Sequence, residues 1–153
     1  MATDISTTEG ASIQSWLNQR VDTSIDRGEC WDAAERGIKS VGARRPNSAQ
    51  LYVWGRVIAA NAVRVGDILQ FSNYVVRVTD SNGGFQENSF GMPRHTAVVS
   101  YLNSNGSVDV LHQNYDNVRT VQLLEWVFLR AGTFGTDTVT IRGSVTCYRP
   151  QKP

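Results

Sequence analysis

The chain has 153 residues, which is enough for one domain with its own hydrophobic core. Hydrophobic residues make up 41% and charged residues 19%, a balance that excludes an extended disordered chain. The formal net charge of +1 gives no reason to expect a nucleic-acid partner or an anionic membrane surface. No apolar run approaches the roughly 18–20 residues that a membrane-spanning helix needs.

The first ten residues contain neither a basic segment nor a hydrophobic stretch of the kind found in secretory signals. We therefore expect residues 1–10 to be a flexible lead-in and residues 11–153 to form a single, monomeric domain. A cytoplasmic location is the corresponding expectation, with export by a non-classical route left open.

Two amphipathic helices are predicted next. Residues 11–21 place apolar side chains at helical spacing, and residues 29–41 do so again before Gly42, a natural helix stop. The second helix carries three small residues, Ala33, Ala34 and Gly37, which indicate close packing against a sheet.

The remaining chain alternates strand-like segments with turns. Residues 79–94 are polar, rich in glycine and without periodicity, so they are predicted to form a long functional loop. The segments HTAVVSYL and SVDVLHQN flank a turn at Asn105 and Gly106 and predict a β-hairpin. Two helices followed by about six strands predict an α+β fold with an antiparallel sheet.

The two cysteines differ in their surroundings. Cys30 falls at the predicted start of the second helix, where unpaired N–H groups and the helix dipole favour a thiolate. Cys147 lies within the closing strand and is interpreted as structural. The spacing permits a disulfide between them, but a chain without an export signal predicts reduced thiols.

His95 opens the first strand of the predicted hairpin. If Leu102 pairs with Ser107, His95 faces Asn114, whose amide could orient the imidazole ring. His112 lies on the same face as Asn114, and a slip of one residue would exchange Asn114 for Gln113. His112 and Gln113 are therefore possible further members of the site.

Cysteine, histidine and asparagine in this order suggest cysteine-dependent acyl transfer. The histidine would share the thiol proton, the amide would fix the imidazole tautomer, and the backbone N–H of Cys30 would be one oxyanion donor. A metal site built from Cys30, His95 and His112 is the weaker alternative, since closely spaced ligand pairs are absent.

Several motifs carry a family resemblance: GECWDAAERGIKSVGA, YVWG, VGDILQF, RHTAVVSYL, VLHQN and GSVTCYRPQKP. Their order resembles the CHAP and NlpC/P60 superfamily of papain-like amidases and peptidases. It is closer to small uncharacterised CHAP-like bacterial proteins and to the C-terminal cysteine-proteinase-fold domain of fungal cortical actin-patch proteins that interact with myosin. The Glu-x-Asn pair of CHAP domains reads His112-x-Asn114 here, so the glutamate is missing.

The resemblance implies a papain-like fold, with N-terminal helices on a partly barrel-like sheet. It also implies a hydrolase that cleaves a peptide or a peptidoglycan stem peptide through a Cys30 thioester, without a cofactor or metal. Trp31 and Arg94 are expected at the substrate cleft, with the loop of residues 79–94 as one wall. The alternative is a catalytically inactive interaction domain that binds a protein partner.

Overall fold

The computed structural model describes residues 2–153, and the elements named here are those of this range. The α-helices are α1 (Thr7–Asn18) and α2 (Cys30–Lys39), and a short 3₁₀ helix spans Ala60–Ala62. The strands are β1 (Thr3–Asp4), β2 (Arg56–Ile58), β3 (Ile68–Thr79), β4 (Phe85–Leu102), β5 (Val108–His112), β6 (Gln122–Val127), β7 (Gly132–Phe134), β8 (Asp137–Arg149) and β9 (Gln151–Lys152).

Seven of the strands form one antiparallel sheet. Its order is β2-β8-β3-β4-β5-β6, with β7 pairing to β8, while β1 and β9 form a separate two-stranded ladder. The predicted α+β class is confirmed. The sheet is open, with β2 and β6 as its terminal strands, and does not form the partly closed barrel that the resemblance implies.

The sheet is buried on both faces in its central part. One face packs against α1 and α2 and contributes Ile68, Val98 and Leu111 to a core with the helices. The other face carries an aliphatic and aromatic core of its own, which includes Phe71 and Phe90. Because residues 95–99 of β4 and the whole of β5 are buried on both faces, their apolar residues do not alternate with exposed polar ones.

The helix α2 lies close to both the sheet and α1. Ala33 and Ala34 are 2% and 1% exposed. A Cβ on Gly37 would come within 3.2 Å of the Leu17 side chain. The small residues therefore allow the tight contact that the sequence predicts, and the fully buried Ile38 anchors it with roughly 1.5–3 kcal/mol of hydrophobic stabilisation.

The predicted lead-in of residues 1–10 contains a short strand and the first residues of a helix. Residues of β1 pair with β9, and α1 begins at Thr7 behind a capping box formed by Ser6 and Glu9. Ser6 Oγ accepts the Glu9 N–H, and Glu9 Oε1 accepts the Ser6 N–H. The helix signal at residues 6–9 lies in this Ser-x-x-Glu pattern and not in apolar periodicity, so α1 starts four residues before the predicted boundary at residue 11.

The predicted loop of residues 79–94 is instead the end of a long hairpin. Strands β3 and β4 pair as far as Thr79 and Phe85, and the turn between them is short. Residues 85–89 of β4 are exposed, so they lack the alternating apolar pattern that marks a half-buried strand. No helix within residues 2–153 is long and apolar enough to span a bilayer.

Candidate functional site

Cys30 is the first residue of α2, as the sequence predicts. The carboxylate of Asp32 fixes this start, because Asp32 Oδ2 accepts the backbone N–H groups of Arg27 at 2.9 Å and Glu29 at 3.4 Å. The guanidinium of Arg27 also forms a 2.7 Å ion pair with Asp32 Oδ1. The loop before the helix is therefore held by a carboxylate that the helix itself supplies.

The Cys30 thiol faces Thr96 of β4. Burial raises the pKa of Cys30 above its usual value, and hydrogen bonds with Thr96 and with the Trp31 backbone offset part of this rise. The charge of Glu29 raises the pKa further. Burial therefore opposes the thiolate that the helix start is predicted to favour.

Thr96 is held by a network that leads away from the thiol. Its hydroxyl donates to Gln70 Oε1 at 2.7 Å, and Trp54 Nε1 donates to the same oxygen at 2.9 Å. Gln70 Nε2 in turn donates to the backbone carbonyl of His95 at 3.2 Å. The single hydroxyl proton of Thr96 is donated to Gln70, and a threonine hydroxyl is not a base toward the thiol near neutral pH.

His95 does not meet Cys30. Consecutive residues of a strand point to opposite faces of the sheet, and Thr96 occupies the face that carries Cys30. The His95 ring lies in the other core, near the rings of Phe71, Phe90 and Tyr115, and is 4% exposed. The predicted contact between the Cys30 thiol and the His95 imidazole is therefore wrong. The same separation removes the alternative metal site of Cys30, His95 and His112.

His95 pairs with His112 instead of with Asn114. His95 Nε2 lies 2.9 Å from His112 Nδ1, and the two rings meet edge to face. Burial lowers the pKa of His95 to about 4 and that of His112 to about 3, the latter with a contribution from the charge of His95. Both imidazoles are thus neutral near pH 7, with one ring nitrogen donating and the other accepting.

Gln113 and Asn114 directly follow β5, and their side chains contact the loop that precedes α2. Asn114 has a positive φ of 57° and donates to Glu29 Oε2 at 3.0 Å, so it is not placed to orient His95. Gln113 is fully buried. Its amide donates to the carbonyls of Ile25 and Glu29 and accepts the Ile25 N–H at 2.7 Å. Both side chains fix the position of Cys30 through its neighbours.

A cleft of about 510 Å³ opens beside the thiol. Its lining consists of Arg27, Glu29, Cys30, Trp31, Arg45, Leu51, Tyr52, Arg94 and Thr96. Trp31 Nε1 donates to the Leu51 carbonyl at 2.7 Å, which ties the segment after α2 to the helix start. That segment, and not residues 79–94 as a whole, forms the outer wall, while Arg94 approaches from β4.

The cleft has a surplus of positive charge. Three arginines line it, against one glutamate, and Glu29 is already paired with Arg119 at 2.7 Å. Arg27 is paired with Asp32, and Arg45 lies 3.8 Å from Glu35. Arg94 stacks over the Tyr52 ring at 4.8 Å and has no ion-pair partner within residues 2–153.

A comparison with known families places the chain in one of them. The model of the AIM3/BBC1 cysteine proteinase-fold domain matches residues 3–152. The chain belongs to this family. No curated protein and no solved structure reaches a significant match with it. The resemblance to the cysteine-proteinase-fold domain of actin-patch proteins is confirmed.

In this AIM3/BBC1 domain, sequence reasoning missed the residue that faces the cysteine. The sequence gives no reason to select Thr96, because threonine carries no acid–base chemistry near neutral pH and its neighbour is a histidine. The same reasoning missed Arg45 and Tyr52, which lie in a segment without periodicity. Thr96 shares the strand alternation of Val98, which packs on the helices, but only the structure shows that this face of β4 meets α2.

The chemistry of Cys30 in this domain can be measured by alkylation. In a Cys147→Ala background, we expect Cys30 to react with iodoacetamide with a pH midpoint above the ordinary thiol value of about 8.5. The reason is the raised pKa that burial imposes. Rates measured by mass spectrometry from pH 6 to 10 check this. The same protein unfolded in urea is the control, and a midpoint below that control would contradict the burial argument.

Proposed function

We propose that this chain is a non-catalytic binding domain, which uses the cleft beside Cys30 to hold an acidic segment of a partner protein. The observation that supports it is the position of Thr96. A papain-like mechanism needs a base at the thiol. Here the side chain facing the thiol is a threonine whose proton is donated to Gln70.

The state of the thiol supports the same proposal. A thiol is a weak nucleophile until it is deprotonated, and burial holds the pKa of Cys30 above its ordinary value. The imidazole pair of His95 and His112 is on the far face of the sheet and, with its lowered pKa values, is a poor base at neutral pH. A protonated thiol with no base beside it is a poor nucleophile, and this favours binding over cleavage in the cleft.

The charge of the cleft supports an acidic ligand. The Arg94 guanidinium is exposed, and its fork of donors matches a carboxylate in a bidentate geometry. Arg45 lies on the same cleft, with its guanidinium 5.5 Å from the centre of the Trp31 ring. Aspartate or glutamate side chains of a bound segment would meet these two groups, while Trp31, Leu51 and Tyr52 provide apolar contact.

The hydrolase is the second candidate function, and one observation favours it. Cys30 sits at a helix start in an open cleft, so its backbone N–H could stabilise an oxyanion. A substrate would then be a peptide or a peptidoglycan-like amide. This candidate requires a proton acceptor from the substrate or from a rearranged site.

A binding assay tests the proposal. We expect a fluorescein-labelled peptide alternating glutamate and alanine to bind with measurable anisotropy change, and the matching glutamine peptide to bind at least about tenfold more weakly. Arg94→Ala should weaken binding of the glutamate peptide by about tenfold, because this substitution removes the unpaired guanidinium. Arg142→Ala is the matched control, since Arg142 is an exposed arginine of β8 outside this cleft.

Two results would overturn the proposal. One is equal loss of binding in the Arg94→Ala and Arg142→Ala variants, which would indicate non-specific attraction. The other is cleavage of a peptide mixture by the native protein that disappears in Cys30→Ala, as followed by mass spectrometry. The second result would favour the hydrolase instead.

A further inference from the structure

A second cleft lies at the other end of the sheet, away from Cys30. It has a volume of about 500 Å³ and is bounded by the end of the β3–β4 hairpin, the end of β6 and the start of β8. Its floor is formed by buried side chains of the second core, Val76, Phe90, Val127 and Phe128. The cleft is therefore a depression over a packed core.

The polar lining of this cleft is acidic. Asp80, Glu125 and Asp137 line it, and it has no lysine or arginine among its lining residues. None of the three carboxylates has an ion-pair partner within the described part of the chain, residues 2–153. Three unpaired carboxylates around an apolar floor repel anions and select a cationic group.

The aromatic rim supplies a surface suited to such a cation. Trp126 is 65% exposed, and its indole is the only large ring at the rim that no arginine of residues 2–153 covers. The other exposed ring, Phe85, already carries the Arg77 guanidinium 4.0 Å from its centre. The chain thus shows at Phe85 the stacking that a ligand cation could make on Trp126.

A β-bulge turns Trp126 toward this cleft. Val108 pairs with Val127 but Val110 pairs with Leu124, so Glu125 and Trp126 both stand opposite Asp109. Trp126 has a φ of 61°, and its N–H donates to Asp109 Oδ1 at 3.1 Å. Two consecutive residues, one acidic and one aromatic, consequently line the same cleft instead of pointing to opposite faces.

We propose that this acidic cleft binds a partner-protein segment that carries arginine or lysine. The basic side chain stacks on Trp126 and pairs with Glu125 and Asp137, and the apolar floor covers its aliphatic stem. A metal ion is the other cationic candidate. No group of three metal-ligating side chains close enough to hold one occurs among residues 2–153, and that favours the peptide. The proposal does not depend on the Cys30 cleft, which favours ligands of opposite charge.

A peptide titration tests this site. The probe is a short fluorescein-labelled peptide alternating arginine and alanine, measured by fluorescence anisotropy at two salt concentrations. We expect the double variant Glu125→Gln/Asp137→Asn to bind it about tenfold more weakly than the native protein, and Trp126→Ala about threefold to tenfold more weakly. The three positions are partly or largely exposed, so the variants should keep the fold.

The matched control is Asp116→Asn, which removes an exposed carboxylate outside the cleft. It should bind the arginine peptide as the native protein does. The proposal is overturned if the arginine peptide does not bind, or if Asp116→Asn weakens it as much as the double variant does. Equal affinity for a matching glutamine peptide would overturn it as well.

Discussion

Replacing Arg149 with methionine is expected to destabilise the domain by about 3–5 kcal/mol. Arg149 is 5% exposed and pairs with Asp67, which is 1% exposed. Nε lies 3.1 Å from Oδ1, and Nη2 lies 2.9 Å from Oδ2. Removal of the guanidinium leaves a carboxylate in the interior with only the Arg64 N–H as a hydrogen-bond donor. Urea unfolding followed by tryptophan fluorescence measures the loss.

Arg56→Met is the matched control for this variant. Arg56 is the partner of Arg149 in the β2–β8 ladder and also pairs with an aspartate, Asp4, but both of those side chains are solvent-exposed. Exposed ion pairs contribute about 0–1 kcal/mol, so this variant should unfold close to the native midpoint. Adding Asp67→Leu to Arg149→Met should recover much of the loss. Equal, small effects of the two arginine variants would contradict the argument.

The hairpin register could be predicted from the sequence, but the face of its side chains could not. The predicted register holds where Ala97 faces His112, Val98 faces Leu111 and Val99 faces Val110. The predicted pair of Leu102 with Ser107 is wrong, because an irregularity between Val99 and Tyr101 shifts the register and places Leu102 opposite Val108. The three pairs that hold comprise six residues of which five are apolar, because both faces of the sheet are covered. A pattern without alternation gives no information on which face meets α2. The strand sequence alone therefore does not determine whether the His95 side chain faces the helices or the second core.

The end of the ladder limited the prediction of the third site residue. Strand β5 ends at His112, and Asn114 then adopts a positive φ that takes it out of line with His95. Asparagine tolerates this conformation better than most residues, so an asparagine at this position indicates a turn and not a catalytic role. The helix start at Cys30 was predictable, because it depends on local sequence alone.

The predicted site residues are divided between the two faces of the sheet. Cys30 and Thr96 lie on the helix face, whereas His95 and His112 lie in the second core, separated by the sheet itself. The residue types of a cysteine hydrolase are thus present in the expected chain order but on opposite sides of the sheet. Chain order and residue type therefore suffice for the fold family and not for the activity.

The buried histidine pair predicts a loss of stability in mild acid. In the folded state burial lowers the pKa of His95 to about 4 and that of His112 to about 3. In the unfolded chain both titrate near the ordinary value of about 6.5. Between about pH 6.5 and pH 4 the unfolded chain takes up protons that the folded one does not, so the free energy of unfolding falls as the pH is lowered. Each histidine contributes up to about 1.4 kcal/mol per pH unit.

Urea unfolding at a series of pH values from 7.5 to 4.5 measures this slope, and a double variant isolates it. His95→Phe/His112→Phe keeps aromatic rings in a pocket already lined by Phe71, Phe90 and Tyr115, but removes both titrating groups. Carboxylates with lowered pKa values, such as Glu29, contribute equally to both proteins at the acid end of the range. The difference in slope therefore belongs to the histidines. Identical slopes in the two proteins between pH 6.5 and 4.5 would mean that the imidazoles are not held neutral by the second core.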